Sequence, residues 1–138
     1  MAEIQIEQIH PAVTWRIRHE AMYSGQDYEL AKLADDDEGI HFALYADHEL
    51  TSVISLFEKD DLTCQFRKFA TVPEAQGKGY GTLLLKHMID YNRNHGIKLL
   101  WCNARLTATG FYAKFGFQAR GQTFTRNGYD FVIMELPL

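Results

Sequence analysis

The chain has little of what would classify it at a glance. Two cysteines in 138 residues exclude a disulfide framework and a Cys-rich metal module. Cys64 and Cys102 stand in separate strand-like runs and read as two reduced core thiols. The six histidines, His10, His19, His41, His48, His87 and His95, show no ligand spacing with one another or with the cysteines; no metal is expected. No apolar run approaches the roughly 20 residues that a membrane-crossing helix needs. MAEIQIEQIH lacks the basic and apolar regions of a secretion signal, so the expectation is a cytoplasmic protein without a membrane partner. The net charge is −4 and no basic block exceeds pairs such as Arg67-Lys68. That argues against nucleic acid, whose binding rests on neutralised phosphates. No linker rich in Pro, Gly or Ser and no internal repeat divides the chain, and residues 1–138 read as one domain.

The patterns that are present are mixed. IQIEQI alternates as a short strand, and VTWRIRHEAM spaces Val13, Ile17 and Ala21 as an amphipathic helix. YELAKLA reads as a second short helix, and the acidic run Asp35 to Glu38 as a solvated turn. GIHFALYAD, LTSVISLFEKDD and LTCQFRKFATV follow as three strands of an antiparallel meander, the last stopped at Pro73. From Tyr80 the period becomes helical, with Tyr80, Leu83, Leu84, Met88 and Tyr91 on one stripe. IKLLWCNA, apolar on both faces, is a central strand parallel to the one before the helix. LTATGFYAKF reads as a shorter helix, and two strands around a polar turn close the chain. The sum is an α/β fold: a mixed, mostly antiparallel sheet of six or seven strands with a central parallel pair and about four helices.

Between the third meander strand and the long helix lies QGKGYG, residues 76–81. Glycine costs a helix about 1 kcal/mol against alanine, so three at a helix entrance need a use. Either the chain only turns sharply there, or bare backbone N–H groups at the helix start hold an anion. A P-loop is excluded because no lysine separates Gly81 from Thr82. The dinucleotide fingerprint GxGxxG is missed by one position.

FATVPEAQGKGYGTLLL resembles the acetyl-CoA-binding signature of the GNAT superfamily of N-acetyltransferases, Q/R-x-x-G-x-G/A, with Gln76, Gly79 and Gly81 at its positions. NARLTATGFYAKFGF, residues 103–117, is similar to the segment that carries the family tyrosine. The motifs occupy residues 66–117, and the strand order also matches the family. The resemblance implies acetyl transfer from acetyl-CoA to a primary amine, of a small molecule or a protein. Phe69, Ala70, Thr71 and Val72 would offer backbone groups to the pantetheine. Gln76, Gly77, Lys78, Gly79, Tyr80, Gly81 and Thr82 would surround the diphosphate. Tyr112 would assist the departing thiolate or, alternatively, only pack its helix; Asn103 would touch pantetheine or fix the following turn. Homodimers are common among such proteins, and composition does not decide the point.

The strand before the glycine turn offers Gln65, Arg67 and Lys68 but no acid, so a carboxylate base from that strand is in doubt. Glu20 or Glu29 from the helical cover, or a water relay, remain open for that role. Met22, Tyr23, Tyr28 and Phe57, with Glu20, Asp27 and Glu29, suggest a pocket for a small cationic amine or an exposed protein amine. An inactive acyl-CoA-sensing module is the competing class; transfer of longer acyl groups is opposed by Phe66, Phe69 and Trp101.

Overall fold

Alternation along the inner strands decides which side of the sheet each helix takes. In β2 (Ile40–Ala46) and β3 (Glu49–Asp60), Phe42, Leu44, Ile54 and Leu56 face one way, and Ala43, Val53 and Ser55 the other. The first set meets Leu84, Leu85, Met88 and Ile89 of α2 (Tyr80–Asn94) in the main core. The second set is small-chained and meets Ile17 of α1 (Ala12–Met22) in a lesser one. Burying each large aliphatic chain contributes about 1.5–3 kcal/mol, so the α2 face carries most of the stability.

The computed structural model describes all residues, Met1–Leu138. The remaining strands are β1 (Ile4–Ile9), β4 (Thr63–Thr71), β5 (Leu99–Arg105), β6 (Gln118–Arg126) and β7 (Tyr129–Pro137). A short helix α3 (Thr109–Ala113) follows β5, and 3-10 turns cover Tyr28–Ala31, Asp36–Glu38, Pro73–Ala75 and Leu106–Ala108. One seven-stranded sheet runs in the order β1-β2-β3-β4-β5-β7-β6. Every neighbouring pair is antiparallel except β4 and β5, joined through α2. The mixed sheet with its central parallel pair is the architecture expected from the sequence. No helix is long and apolar enough to cross a membrane.

Two details differ from the periodicity. Leu83 is exposed, while Leu85, Ile89 and Asn92 are buried, so the inner stripe of α2 is rotated by about one residue from the one read off the sequence. The buried Asn92 turns its amide back onto the Met88 carbonyl at 2.7 Å. The run Asp35 to Glu38 is only partly solvated: Asp36 is 4% exposed and bonded to Arg18, itself fully buried.

Candidate functional site

The site begins where the parallel pair comes apart. β4 and β5 pair only over Thr63–Gln65 and Leu99–Trp101. Beyond that, β4 stays with β3 on its other edge while β5 stays with β7, leaving a fork. The register of β3 against β4 also slips by one residue, between Val53 and Ser55. The extra residue is on β4, and Lys68 there has φ +54, a left-handed conformation that costs a non-glycine residue about 1–2 kcal/mol. Its ammonium donates to the Tyr23 hydroxyl at the end of α1.

Past the end of β4, Gly77 and Gly79 have φ of +78 and +85, and a Cβ at either would stand in open space. The turn is therefore a bare concave ribbon leading into α2. Gly79 caps the helix with no side-chain hydrogen bond, and the first intrahelical bond there is from the Leu83 N–H to the Gly79 carbonyl. The N–H groups of Tyr80, Gly81 and Thr82 precede any possible helical acceptor. Gly81 serves differently: a Cβ there would lie 3.2 Å from the Phe69 ring, so this glycine lets the helix approach the fork.

Gln76 and Val72 are tied into the protein. The Gln76 side-chain amide donates to the Thr71 carbonyl at 3.0 Å, bracing the turn against the strand end. Val72 is buried, donates its N–H to Thr51 and accepts from Ala75. Phe69, Thr71, Gln76, Gly77, Gly79, Tyr80, Gly81 and Thr82 border a cleft of about 630 Å³ that contains no carboxylate. Lys78 is exposed on the far side of the turn. A separate depression beyond it mixes Arg16 and Lys78 with Asp47, Glu49 and Glu74, and includes neither β5 nor Tyr112.

The cleft shares the walls Phe69, Thr71, Gln76 and Ala108 with an adjoining second space of about 460 Å³ inside the fork. Ala70, Asn103, Tyr112 and Cys102 border this part. The Tyr112 ring packs against Phe66, Phe111 and Phe117 at centroid distances of 5.7, 5.3 and 5.8 Å. Burial, seconded by Cys102, pushes the phenol well above its usual value, and no hydrogen bond opposes the shift. Burial likewise pushes the Cys102 thiol up to about 12. Both groups therefore stay protonated at neutral pH. The tyrosine can donate a hydrogen bond, while the cysteine is poorly placed to act as a nucleophile. Phe66 and Phe69 are at the fork, whereas Trp101 does not border it.

The outer wall comes from Ala21 and Met22 of α1, Arg67 and Lys68 of β4, Arg105 and Phe131. Glu20, Asp27 and Glu29 do not border the space: Glu20 pairs with Arg16, Glu29 pairs with Lys32, and Asp27 caps the Glu29 N–H. Tyr28 packs at a tilt against His19, and Phe57 is a buried neighbour of His41.

Behind that wall lies a network that the sequence reading missed. Arg18 donates to both oxygens of Asp36 at 2.9 and 3.0 Å, to the Ala31 carbonyl and to Ser55 Oγ. His41 Nε2 lies 2.8 Å from the Asp36 carbonyl oxygen and Nδ1 2.7 Å from Ser55 Oγ. A carbonyl only accepts, so Nε2 carries the proton, and Nδ1 accepts from Ser55. Trp15 Nε1 and the Leu33 N–H complete the set on Asp36. Burial works against the Asp36 carboxylate, but the donors from Arg18, Leu33 and Trp15 outweigh it and hold the group below its usual range. A signal did exist: Arg18 is spaced with Thr14 and Ala21 on the inner stripe of α1.

Comparison with known proteins bears on this geometry. A family model described as an acetyltransferase (GNAT) domain matches residues 17–138. A [ribosomal protein bS18]-alanine N-acetyltransferase of Salmonella typhimurium is 31% identical over 144 aligned positions, covering 97% of this chain and 88% of the relative. An uncharacterized N-acetyltransferase of Bacillus subtilis is 28% identical, with 88% and 87% covered. Among solved structures, a GNAT family acetyltransferase from Elizabethkingia anophelis with acetyl-CoA bound superposes with a TM-score of 0.77 at 21% identity, covering 98% of both chains.

Proposed function

This chain belongs to the acetyltransferase (GNAT) family, and from that premise we propose that it moves an acetyl group from acetyl-CoA to a primary amine by direct attack. The observation that carries the reading is a pair of adjoining clefts with shared walls. Between them they border the unshielded glycine turn, the open edge of β4 and Tyr112.

The residues present fit the cosubstrate. The ribbon at Gly77 and Gly79 carries no side chain and faces open space, and the N–H groups from Gly79 to Thr82 suit a diphosphate at the favourable end of the α2 dipole. Gln76 acts by bracing the turn, and Lys78, exposed on the turn's far side, adds only longer-range positive charge. Along the fork, Phe69, Ala70 and Thr71 present the open strand edge to the pantetheine, with the Asn103 amide opposite. Val72, whose N–H and carbonyl are already engaged, ends that edge.

When bound, acetyl-CoA supplies an activated acyl carbon and a thiolate leaving group. Tyr112 Oη, kept protonated by burial, donates to the sulfur position as negative charge collects there, an interaction that strengthens toward the transition state. The amine must be uncharged to attack. No carboxylate borders the fork, so its proton passes to water. The relative that acts on an alanine of ribosomal protein bS18 supports an amine of the amino-acid or peptide kind as acceptor.

The reading is tested by titration calorimetry with acetyl-CoA and CoA, followed by a thiol-release assay. Tyr112→Phe should retain acetyl-CoA affinity and lose about 10²-fold in kcat. Unchanged turnover at saturating substrates would remove Tyr112 from the chemistry. A properly folded protein giving no heat with either carrier would sink the whole reading. Heat without transfer to any amine would favour the sensing module.

A further inference from the structure

The charges at the acceptor end point to a class of substrate. Resting on the acetyl-transfer reading above, we propose that the acceptor is a small amine carrying a carboxylate, of the amino-acid kind, and that Lys68 and Arg105 hold that carboxylate.

The charged side chains bordering the fork are Arg67, Lys68 and Arg105, with no acid among them. Such a wall inside a protein of net charge −4 is a local departure from the whole. Arg67 is already neutralised: its Nη1 donates to both oxygens of Asp35, at 3.0 and 3.2 Å. The other two cations have no acidic partner among the ion pairs of the structure. Each is nevertheless held in place by an aromatic residue. Lys68 spends one donor on the Tyr23 hydroxyl and keeps two. The Arg105 guanidinium lies 3.9 Å from the Tyr129 ring centroid, a stack that leaves its in-plane N–H groups free for a carboxylate.

One cation comes from the bulge of β4 and the other from the end of β5, so they stand on the two arms of the fork. An anionic group between them would leave the attached amine inside the space that ends at Tyr112. The same charges disfavour an ammonium group nearby and so favour the neutral, nucleophilic amine. This compensates for the absence of a carboxylate base. Met22 and Phe131 add apolar surface to the same wall, which suits an apolar side chain on the acceptor.

The test compares free apolar amino acids (alanine, leucine, methionine, phenylalanine) with their carboxamides and with a neutral, amidated tripeptide, at saturating acetyl-CoA. The side chain stays constant within each pair while the carboxylate is removed, and rates are compared per neutral amine because the carboxylate also raises the basicity of its own α-amine. The free acid should be preferred by at least about tenfold in kcat/KM. Arg105→Gln and Lys68→Gln should each erode that ratio several-fold, mainly through KM, while the values for the amides move far less. Arg105 is exposed, so its variant remains informative if the Lys68 variant folds poorly. Amides or the tripeptide reacting as well as the acids would overturn the assignment and leave acetyl transfer standing. So would a ratio that survives Arg105→Gln, or silence of the whole panel with acetyl-CoA binding intact. Absence of acetyl-CoA binding would instead remove the reading on which the inference rests.

Discussion

Two polar regions meet along β3 and β4, and they treat hydrogen bonding in opposite ways. Around Arg18 the donors are consumed: guanidinium to Asp36 and Ser55, Ser55 to His41, His41 back to the Asp36 carbonyl. Only Arg18 Nε is left without a partner. At the fork and glycine turn the protein leaves donors outward, on a parallel pair cut short after three residues and a helix start without a side-chain cap. The first region holds the N-terminal cover onto the sheet. The second is kept for something that arrives. Internal satisfaction separates a structural polar cluster from a binding one better than composition does.

The strongest way to break this contrast is to remove one partner of the buried pair. Asp36→Ala should cost about 3–5 kcal/mol, because it strands the Arg18 charge in the interior. Urea unfolding measures it, and a loss below about 1 kcal/mol would show that the network is not the anchor described here. Gly79→Asp sets bulk and like charge on the open ribbon. It should weaken acetyl-CoA binding by at least about tenfold, with the fold intact by circular dichroism; retained affinity would move the diphosphate elsewhere.

The glycines sharpen the comparison further. Gly77→Ala should destabilise by about 1–2 kcal/mol because of its left-handed backbone. Gly81→Ala should be close to neutral in stability, because helix propensity gains about 1 kcal/mol against a tight contact with the movable Phe69 ring. Equal losses in thermal unfolding would contradict the two roles. The smallest effect concerns pH. Burial, with help from the Arg18 charge, holds the His41 imidazole below its usual value despite the Asp36 carbonyl bond. Its contribution is complete above the unfolded value near 6.5 and is lost as pH falls toward the folded one. Stability should therefore decline on acidification from about pH 6.5, and His41→Asn should flatten that slope.

Much of this was legible beforehand because it is local. Alternation in IHFALYA and SVISLF, the proline after β4 and the glycines before α2 are signals that neighbouring residues carry. So the antiparallel meander, the parallel pair and the position of the glycine turn followed, whereas the insertion of β7 between β5 and β6 is a long-range pairing that no local pattern carries. The buried network was hidden because its members lie 18 and 37 residues from Arg18. Asp36 also stands in a run of four acids, where solvation is the ordinary outcome. The acidic acceptor wall inferred from Glu20, Asp27 and Glu29 missed for a related reason: each carboxylate finds its partner within a few residues of its own helix or turn.

The supernumerary residue in β4 resets the phase of the strand. Cys64, Phe66, Phe69 and Thr71 look toward the α2 layer, while Arg67, Lys68 and Ala70 all look toward α1 and its turns. Phe66 and Phe69, three apart, meet edge to face with centroids 6.4 Å apart, which uninterrupted alternation would forbid. Excising one residue at 68 would thus exchange inside for outside along the strand's last stretch, turning Phe69 away from Gly81 and Ala70 into the space meant for the aromatic ring. The tip of this strand is sensitive to its count of residues more than to their identity.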